Sequence, residues 1–393
     1  MTPRFFRRIE DPAAVKRKGA SFPPSGGLAY IRILEYTLLR RAICVQEEYS
    51  MRHAPTSAAG PVSTPDLDLD LDPGSDTRPA TRSEPQAEPQ AEPGSDAGPA
   101  ALAPAPEVTG FYEARTGSVQ YVVADPATGQ CAVIDPVLDY DEKSGATATI
   151  EADRILAFIA EKGYALEWIL DTHPHADHFS AADYLRRRTG APTAIGEKVV
   201  EVQKLWKEFY NWPDFPADGS QWDKLFAEGE TFRLGSIPAR VLFSPGHTLA
   251  SISYVIGDAA FVHDTLFMPD SGTARADFPG GDAHALWRSI QAILALPDAT
   301  RVFTGHDYCQ GGRAPAWEST VAEQKARNSH MARYRTEAAF VAARQARDRT
   351  LPMPKLILHA LQVNTNAGRL PAPEANGRRY LKIPLDLLQA PWD

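Results

Sequence analysis

The stretch Thr172-His173-Pro174-His175-Ala176-Asp177-His178 places three imidazoles and a carboxylate within six residues. Just before it, Leu166 to Leu170 is a short apolar run of strand length. The cluster therefore lies in a loop at a strand end, where backbone turns can bring side chains to one point. Imidazole and carboxylate are the ligands that zinc and iron favour. Crowded together without partners they would be costly to bury, and a shared metal ion removes that cost.

Three later segments extend the pattern. Ser244-Pro245-Gly246-His247-Thr248, His263-Asp264-Thr265-Leu266 and Gly305-His306-Asp307-Tyr308 follow runs that read as strands, Ala239 to Phe243, Ala259 to Val262 and Arg301 to Thr304. Alone, a Gly-His or His-Asp pair says little more than turn. In this order after the first cluster, the segments complete a candidate metal set of His173, His175, Asp177, His178, His247, Asp264 and His306.

The remaining elements interleave strands and helices. Val119 to Ala124 and Cys131 to Asp135 are β-branched runs separated by the turn-like Pro126 to Gly129, which predicts a hairpin opening the folded domain. Apolar positions at Ile150, Ile155, Leu156, Phe158 and Ile159 predict a helix over Ile150 to Lys162 with one buried face. Further helices are expected at Ala181 to Arg188 and Ala283 to Leu294, and strands at Pro192 to Ile195 and Ile252 to Ile256. The alternation places the chain in the α/β class.

Composition divides the 393 residues unevenly. Met51 to Glu107 is Pro, Ala, Asp and Glu with almost no aromatic residue, too little apolar surface to offset the entropy of ordering. Residues 1–107 are thus read as a disordered, low-complexity extension, 108–312 as the catalytic domain, and 313–393 as a C-terminal extension packed on it. Within the last part, Glu318 to Arg347 reads as a charged helical stretch and Leu351 to Pro373 as Pro-rich.

A net charge of -9 with no basic stripe argues against nucleic acid as a partner. Gly27 to Val45 is broken by Arg32, Glu35, Arg40 and Arg41, so no membrane span is expected. Glu10 and Asp11 weaken a targeting reading of the basic residues from Arg4 to Lys18. Cys44, Cys131 and Cys309 are too scattered for a disulfide framework, which suits a reducing cytoplasm, and Cys309 is expected to be an inert thiol.

The T-H-x-H-x-D-H run and the later His, Asp and His resemble the metallo-β-lactamase superfamily from about Val108 to Tyr308. The resemblance implies an αββα sandwich with the metal site at one sheet edge. In dinuclear members the matching positions are His173, His175 and His247 on one metal, Asp177, His178 and His306 on the other, with Asp264 bridging.

A narrower likeness follows. Gly272-Thr273-Ala274-Arg275-Ala276-Asp277-Phe278, His306-Asp307-Tyr308 and Ser319-Thr320-Val321-Ala322-Glu323 resemble segments of the persulfide dioxygenases. That resemblance implies one Fe(II) per chain on His173, His247 and Asp264, and oxidation of glutathione persulfide by O2 to sulfite and glutathione. It further implies that Arg275 holds a glutathione carboxylate and that Tyr308 approaches the substrate. Otherwise Arg275 pairs with Asp277 or Asp282 and Tyr308 packs in the core.

The alternative is a glyoxalase II-type thioester hydrolase with two Zn(II). Either way the expected partner is a glutathione-derived small molecule, with homodimer formation left open. His263 stands where the superfamily usually has Gly. An alternating strand would point it away from Asp264, into a structural role.

Overall fold

In the computed structural model, which describes residues 105–388, alternate side chains of one strand enter two different cores. Val119, Tyr121 and Val123 of β2 (Ser118–Ala124) face one apolar cluster, while Val122 and Ala124 face another. A strand with both faces apolar must be covered on both sides, and the architecture is the consequence. The reading of residues 1–104 as disordered lies outside the described residues.

The first sheet has the order β1 (Glu107–Glu113), β2, β3 (Gln130–Ile134), β6 (Ala165–Leu170), β8 (Thr193–Gly196) and β9 (Lys224–Phe226). The second runs β10 (Thr231–Leu234), β11 (Ile237–Phe243), β12 (Ile252–Ile256), β13 (Ala259–Phe261), β14 (Arg301–Phe303) and β15 (Glu318–Thr320). A small third sheet joins β5 (Ala146–Ala148), β4 (Val137–Asp141) and β7 (Phe179–Ser180).

Tyr121, Ile134, Leu170 and Phe226 from the first sheet meet Val241, Tyr254, Phe261 and Phe303 from the second in the central core. Outside the first sheet pack α1 (Ile150–Lys162), α2 (Ala182–Thr189) and α8 (Ile357–Asn364). Outside the second pack α4 (Ala283–Leu294) and α7 (Glu337–Asp348). The layers are helix, sheet, sheet, helix, the αββα sandwich that the resemblance implied.

Several sequence expectations change. The fold opens not with the β2–β3 hairpin but with β1, paired antiparallel to β2. A helix, α3 (Val199–Phe209), fills a stretch that carried no prediction. The stretch from Glu318 is not one helix. β15 adds to the second sheet, and α5 (Val321–Arg327), α6 (Ser329–Arg333) and α7 follow as separate pieces. Thr320, Asn328 and Thr336 interrupt it, each accepting backbone N–H groups as an N-cap. The Pro-rich stretch hides α8, because its proline-free, apolar segment buries Ile357, Leu361 and Val363.

One contact fixes the second sheet against its helix layer. Gly246 has φ +134, and a Cβ there would lie 2.3 Å from the backbone N and Cα of Leu286 in α4. Asp282, the N-cap of α4, donates its own N–H to the Gly246 carbonyl at 2.9 Å. Gly246→Ala is expected to cost on the order of 2–5 kcal/mol through strain and overpacking. Gly229→Ala, at a turn with nothing within 4 Å, should cost about 1 kcal/mol. Urea denaturation midpoints compare the two.

Candidate metal centre

Every candidate ligand follows the C-terminal end of a strand: His173 to His178 after β6, His247 after β11, Asp264 after β13 and His306 after β14. Hydrogen bonds between the sheets hold these ends together. Val119 N donates to Gly305 O at 2.8 Å, Ile252 N to Thr172 O at 3.0 Å, and Tyr254 Oη to Asp171 O at 3.0 Å. Tyr121 Oη donates to Thr304 O, two residues before His306.

The candidate ligands converge in two groups. Donor atoms of His173, His247 and Asp264 lie within 4.8 Å of one another, and so do those of His175, Asp177, His178 and His306. All are buried except the half-buried Asp177.

Partners behind the rings set the tautomers. Thr172 Oγ1 donates to Asp135 Oδ2 at 2.7 Å, so His173 Nδ1 is the donor in its 3.0 Å contact with that hydroxyl, and Nε2 keeps its lone pair. His247 Nδ1 donates to the Arg275 carbonyl at 2.9 Å, and His178 Nδ1 to Asp177 Oδ2 at 3.0 Å. His175 turns Nε2 toward Asp135 Oδ1 at 3.1 Å, close enough for an ion pair though not aligned for a hydrogen bond. A donor fixed on one ring nitrogen frees the other as a ligand.

Those freed atoms have nothing else to do. His173 Nε2, His175 Nδ1 and His178 Nε2 are buried without a hydrogen-bond partner, and His306 Nε2 faces the Oδ2 atoms of Asp177 and Asp264 at 3.5 and 3.4 Å. Each such atom costs on the order of 1–3 kcal/mol if nothing takes its lone pair. Nitrogen and carboxylate donors in two close groups fit one or two divalent ions, and the orphaned atoms are what such ions would satisfy.

The two groups differ in charge state, and an ion taken up by His175 would displace its proton. Burial, then the neighbouring imidazoles, push His173 well below the usual histidine range, and burial lowers His247 despite Asp264. Burial also lowers His175, but Asp135, with Asp177 and Asp264, outweighs it and holds that ring up at about 9. Burial would raise Asp177, yet His306 and His178 hold it well below the usual carboxylate range.

The centre opens onto a cavity of about 660 Å³ whose walls include Asp177, His247, Asp264, Arg275, Phe278 and Tyr308. Arg275 reaches it, but its guanidinium is taken: Nε and Nη2 donate to Asp277 at 2.6 and 2.8 Å, and Nη1 to Pro352 O at 2.6 Å. Tyr308 is not in the core; it is 59% exposed and stacks on His306 with ring centres 5.6 Å apart. Cys309 lies half-buried with Sγ 3.6 Å from Tyr112 Oη, while Arg313 is engaged by Asp270 and Asp307.

His263 stands outside both ligand groups. Its Nε2 meets the hydroxyls of Ser244 at 2.7 Å and Thr265 at 3.0 Å. A turn with φ 40 directs it there, rather than the strand alternation that the sequence suggested.

Sequence reasoning missed the residues behind the ligands. Asp135 follows β3 in a left-handed turn with φ 50 and accepts from both Thr172 N and Oγ1. Ser118 Oγ lies 3.1 Å from His178 Nδ1. Asn364, the last residue of α8, donates through Nδ2 to the carbonyls of His175 and His178 at 2.8 and 2.7 Å and accepts from Ser180 N at 2.8 Å. Nothing in the sequence near Asn364 marks it.

Residues 115–306 match the family model of the metallo-beta-lactamase superfamily. The chain is 70% identical over 287 residues to a "Beta-lactamase hydrolase-like protein" of Agrobacterium fabrum, covering 73% of this chain and 66% of that protein. It thus spans about two thirds of that relative's length. A "Glyoxylase B2" of Dictyostelium discoideum is 46% identical over 282 residues, 71% of this chain and 97% of that one. Among solved structures, ETHE1 from Myxococcus xanthus is similar with a TM-score of 0.54 and 31% identity, over 67% of this chain and all of that chain.

If Asn364 holds the ligand loop, Asn364→Ala should lower metal affinity about 10- to 100-fold. Asn366→Ala, nearby and bonded only weakly to Arg369 O at 3.4 Å, should change it little. Titration against a competing chelator reads the difference, and an unchanged affinity in Asn364→Ala would remove this residue from the centre.

Proposed function

This chain belongs to the metallo-β-lactamase superfamily, and from that premise we propose that it is a non-haem iron persulfide dioxygenase acting on glutathione persulfide. The overall change is glutathione persulfide, O2 and water to glutathione, sulfite and two protons. One Fe(II) would be held by His173, His247 and Asp264, with Asp177, His175, His178 and His306 as the surrounding polar shell. Two imidazoles and one carboxylate on one face of the ion leave positions for two reactants, which is the chemistry oxygen activation needs.

The observation that carries this reading is the contact between the Arg275 segment and the first ligand group. The segment that resembles persulfide dioxygenases supplies the Arg275 carbonyl that fixes His247 Nδ1, and the Phe278 ring 4.8 Å from the His247 ring. It therefore shapes the triad side of the centre and the cavity wall above it. Phe278 keeps water from one flank of His247, and Tyr308 stands on the opposite ligand, His306, where a substrate entering the cavity would pass. The likeness to ETHE1 along that whole chain supports the same reading. Among the described residues no helix is long and apolar enough to cross a membrane. The free thiols Cys131 and Cys309 suit a reducing cytoplasm.

A second reading has its own support. The complete second group, His175, Asp177, His178 and His306, could hold a further ion, as a dinuclear zinc thioester hydrolase of the glyoxalase II type requires. The relative named Glyoxylase B2 favours it too.

Oxygen uptake with glutathione persulfide, measured with metal content on the same sample, separates the two. About one iron per chain with uptake is the expected result. His173→Ala, His247→Ala and Asp264→Ala should each lose iron and uptake together, by at least about 100-fold in turnover. Two zincs, no uptake and cleavage of a glutathione thioester would overturn the dioxygenase reading.

A further inference from the structure

Away from the ligands, the cavity is walled by the C-terminal segment, with His330, Tyr334, Arg344 and Arg347 from α6 and α7 and the turn between them. Its charged groups are nearly all spoken for. Arg275 is bound to Asp277 and Pro352 O. Arg344 is buried against Asp348, with Nε and Nη2 at 2.8 and 2.6 Å from Oδ1, and its Nη1 reaches Thr273 O. Asp270 is bound by Arg313. Arg347 is exposed on α7 and has no ion pair or side-chain hydrogen bond among the described residues. Among the described residues it is the one cavity guanidinium left free.

His330 adds a neutral donor beside it. Its Nδ1 accepts from Thr273 N at 3.1 Å and lies 2.9 Å from Thr273 Oγ1. A nitrogen that accepts from a backbone N–H carries no proton, so the neutral ring bears its hydrogen on Nε2. Burial, with Arg344 and Arg347 nearby, lowers this histidine to about 4, so it stays neutral at physiological pH. The cavity lining therefore combines the ligand residues Asp177, His247 and Asp264 with a free guanidinium and a neutral N–H donor from the C-terminal segment.

We propose that Arg347, assisted by the Nε2–H of His330, is the carboxylate-binding residue of this cavity, selecting thiol derivatives that carry a carboxylate, such as S-substituted glutathione. The role that the resemblance gave to Arg275 passes to Arg347, because Asp277 already neutralises the Arg275 guanidinium and three of its five N–H groups go to Asp277 and Pro352 O, whereas Arg347 offers its whole fork and an unpaired charge. Arg275 instead braces the cavity wall to the segment at Pro352. This inference rests on the glutathione-derived substrate class proposed above, though not on which reaction follows.

The test is calorimetric binding to the metal-loaded full chain, using S-methylglutathione and its diethyl ester, in which both carboxylates are masked. The wild-type protein is expected to bind the free acid about 10- to 100-fold more tightly than the ester, as a charge-assisted hydrogen bond would give. Arg347→Ala should remove that preference and leave ester binding unchanged, and Arg347→Lys should restore part of it. Wild-type protein that shows no preference for the acid, Arg347→Ala that retains it, or Arg347→Ala that weakens acid and ester equally would overturn the proposal. Because binding is read without turnover, oxygen uptake that fails while this pattern holds would remove the dioxygenase reading and leave Arg347 in its role.

Discussion

Several lone pairs of imidazole and carboxylate are withdrawn from water where the ends of β6, β11, β13 and β14 meet, and the rest of the structure is arranged around keeping them there. Orphaned polar atoms in such number would destabilise a fold with no use for them. They are tolerated because the partners behind them are rigid. Thr172 is held by Asp135, His247 by a carbonyl, and the sheet ends by bonds crossing from Tyr121, Val119 and Tyr254. The aromatic core formed by Tyr121, Phe261 and Phe303 supports these bonds from below, the two phenylalanine rings stacking 5.1 Å apart.

The C-terminal segment belongs to the same arrangement. β15 closes the second sheet, Asn364 ties down the loop that carries His175 and His178, and α6 and α7 complete the cavity wall. The candidate ligands and much of the cavity wall therefore come from parts of the chain far apart in sequence. The candidate ligands come from strand ends within the superfamily match, while His330, Tyr334, Arg344 and Arg347 of the wall lie beyond residue 306, where that match ends. Such a division lets one metal-binding scaffold serve different substrates by changing what covers it.

Local chemistry made much of this legible without coordinates. Period and composition marked α1, α4 and β12 at their observed boundaries, because one-sided helices and short β-branched runs carry their own signal. The candidate ligand set was legible for a similar reason, since imidazoles and carboxylates packed into strand-end loops have few uses other than a metal, and the structure brings these residues together. The missed α3 and the interrupted region after Glu318 show where that signal fades. In the latter, three polar caps set the ends of the helices, and charged residues blur the apolar stripe.

By itself, then, the sequence determined the α/β class, the identity of the candidate ligands and the order in which strands deliver them. Only the tertiary structure decided that His175 groups with Asp177, His178 and His306 rather than with His173 and His247, which ring nitrogens are held by partners behind them, and which cavity arginine has no carboxylate against it. The physical reason is that a residue type is a local property, whereas a lone pair or a guanidinium is free only relative to partners the fold brings from elsewhere. Arg275 and Arg347 are alike as residues. One has Asp277 and Pro352 against it and the other has neither; the sequence offered Asp277 as a partner for Arg275, but only the fold brings Pro352 to it and leaves Arg347 without one.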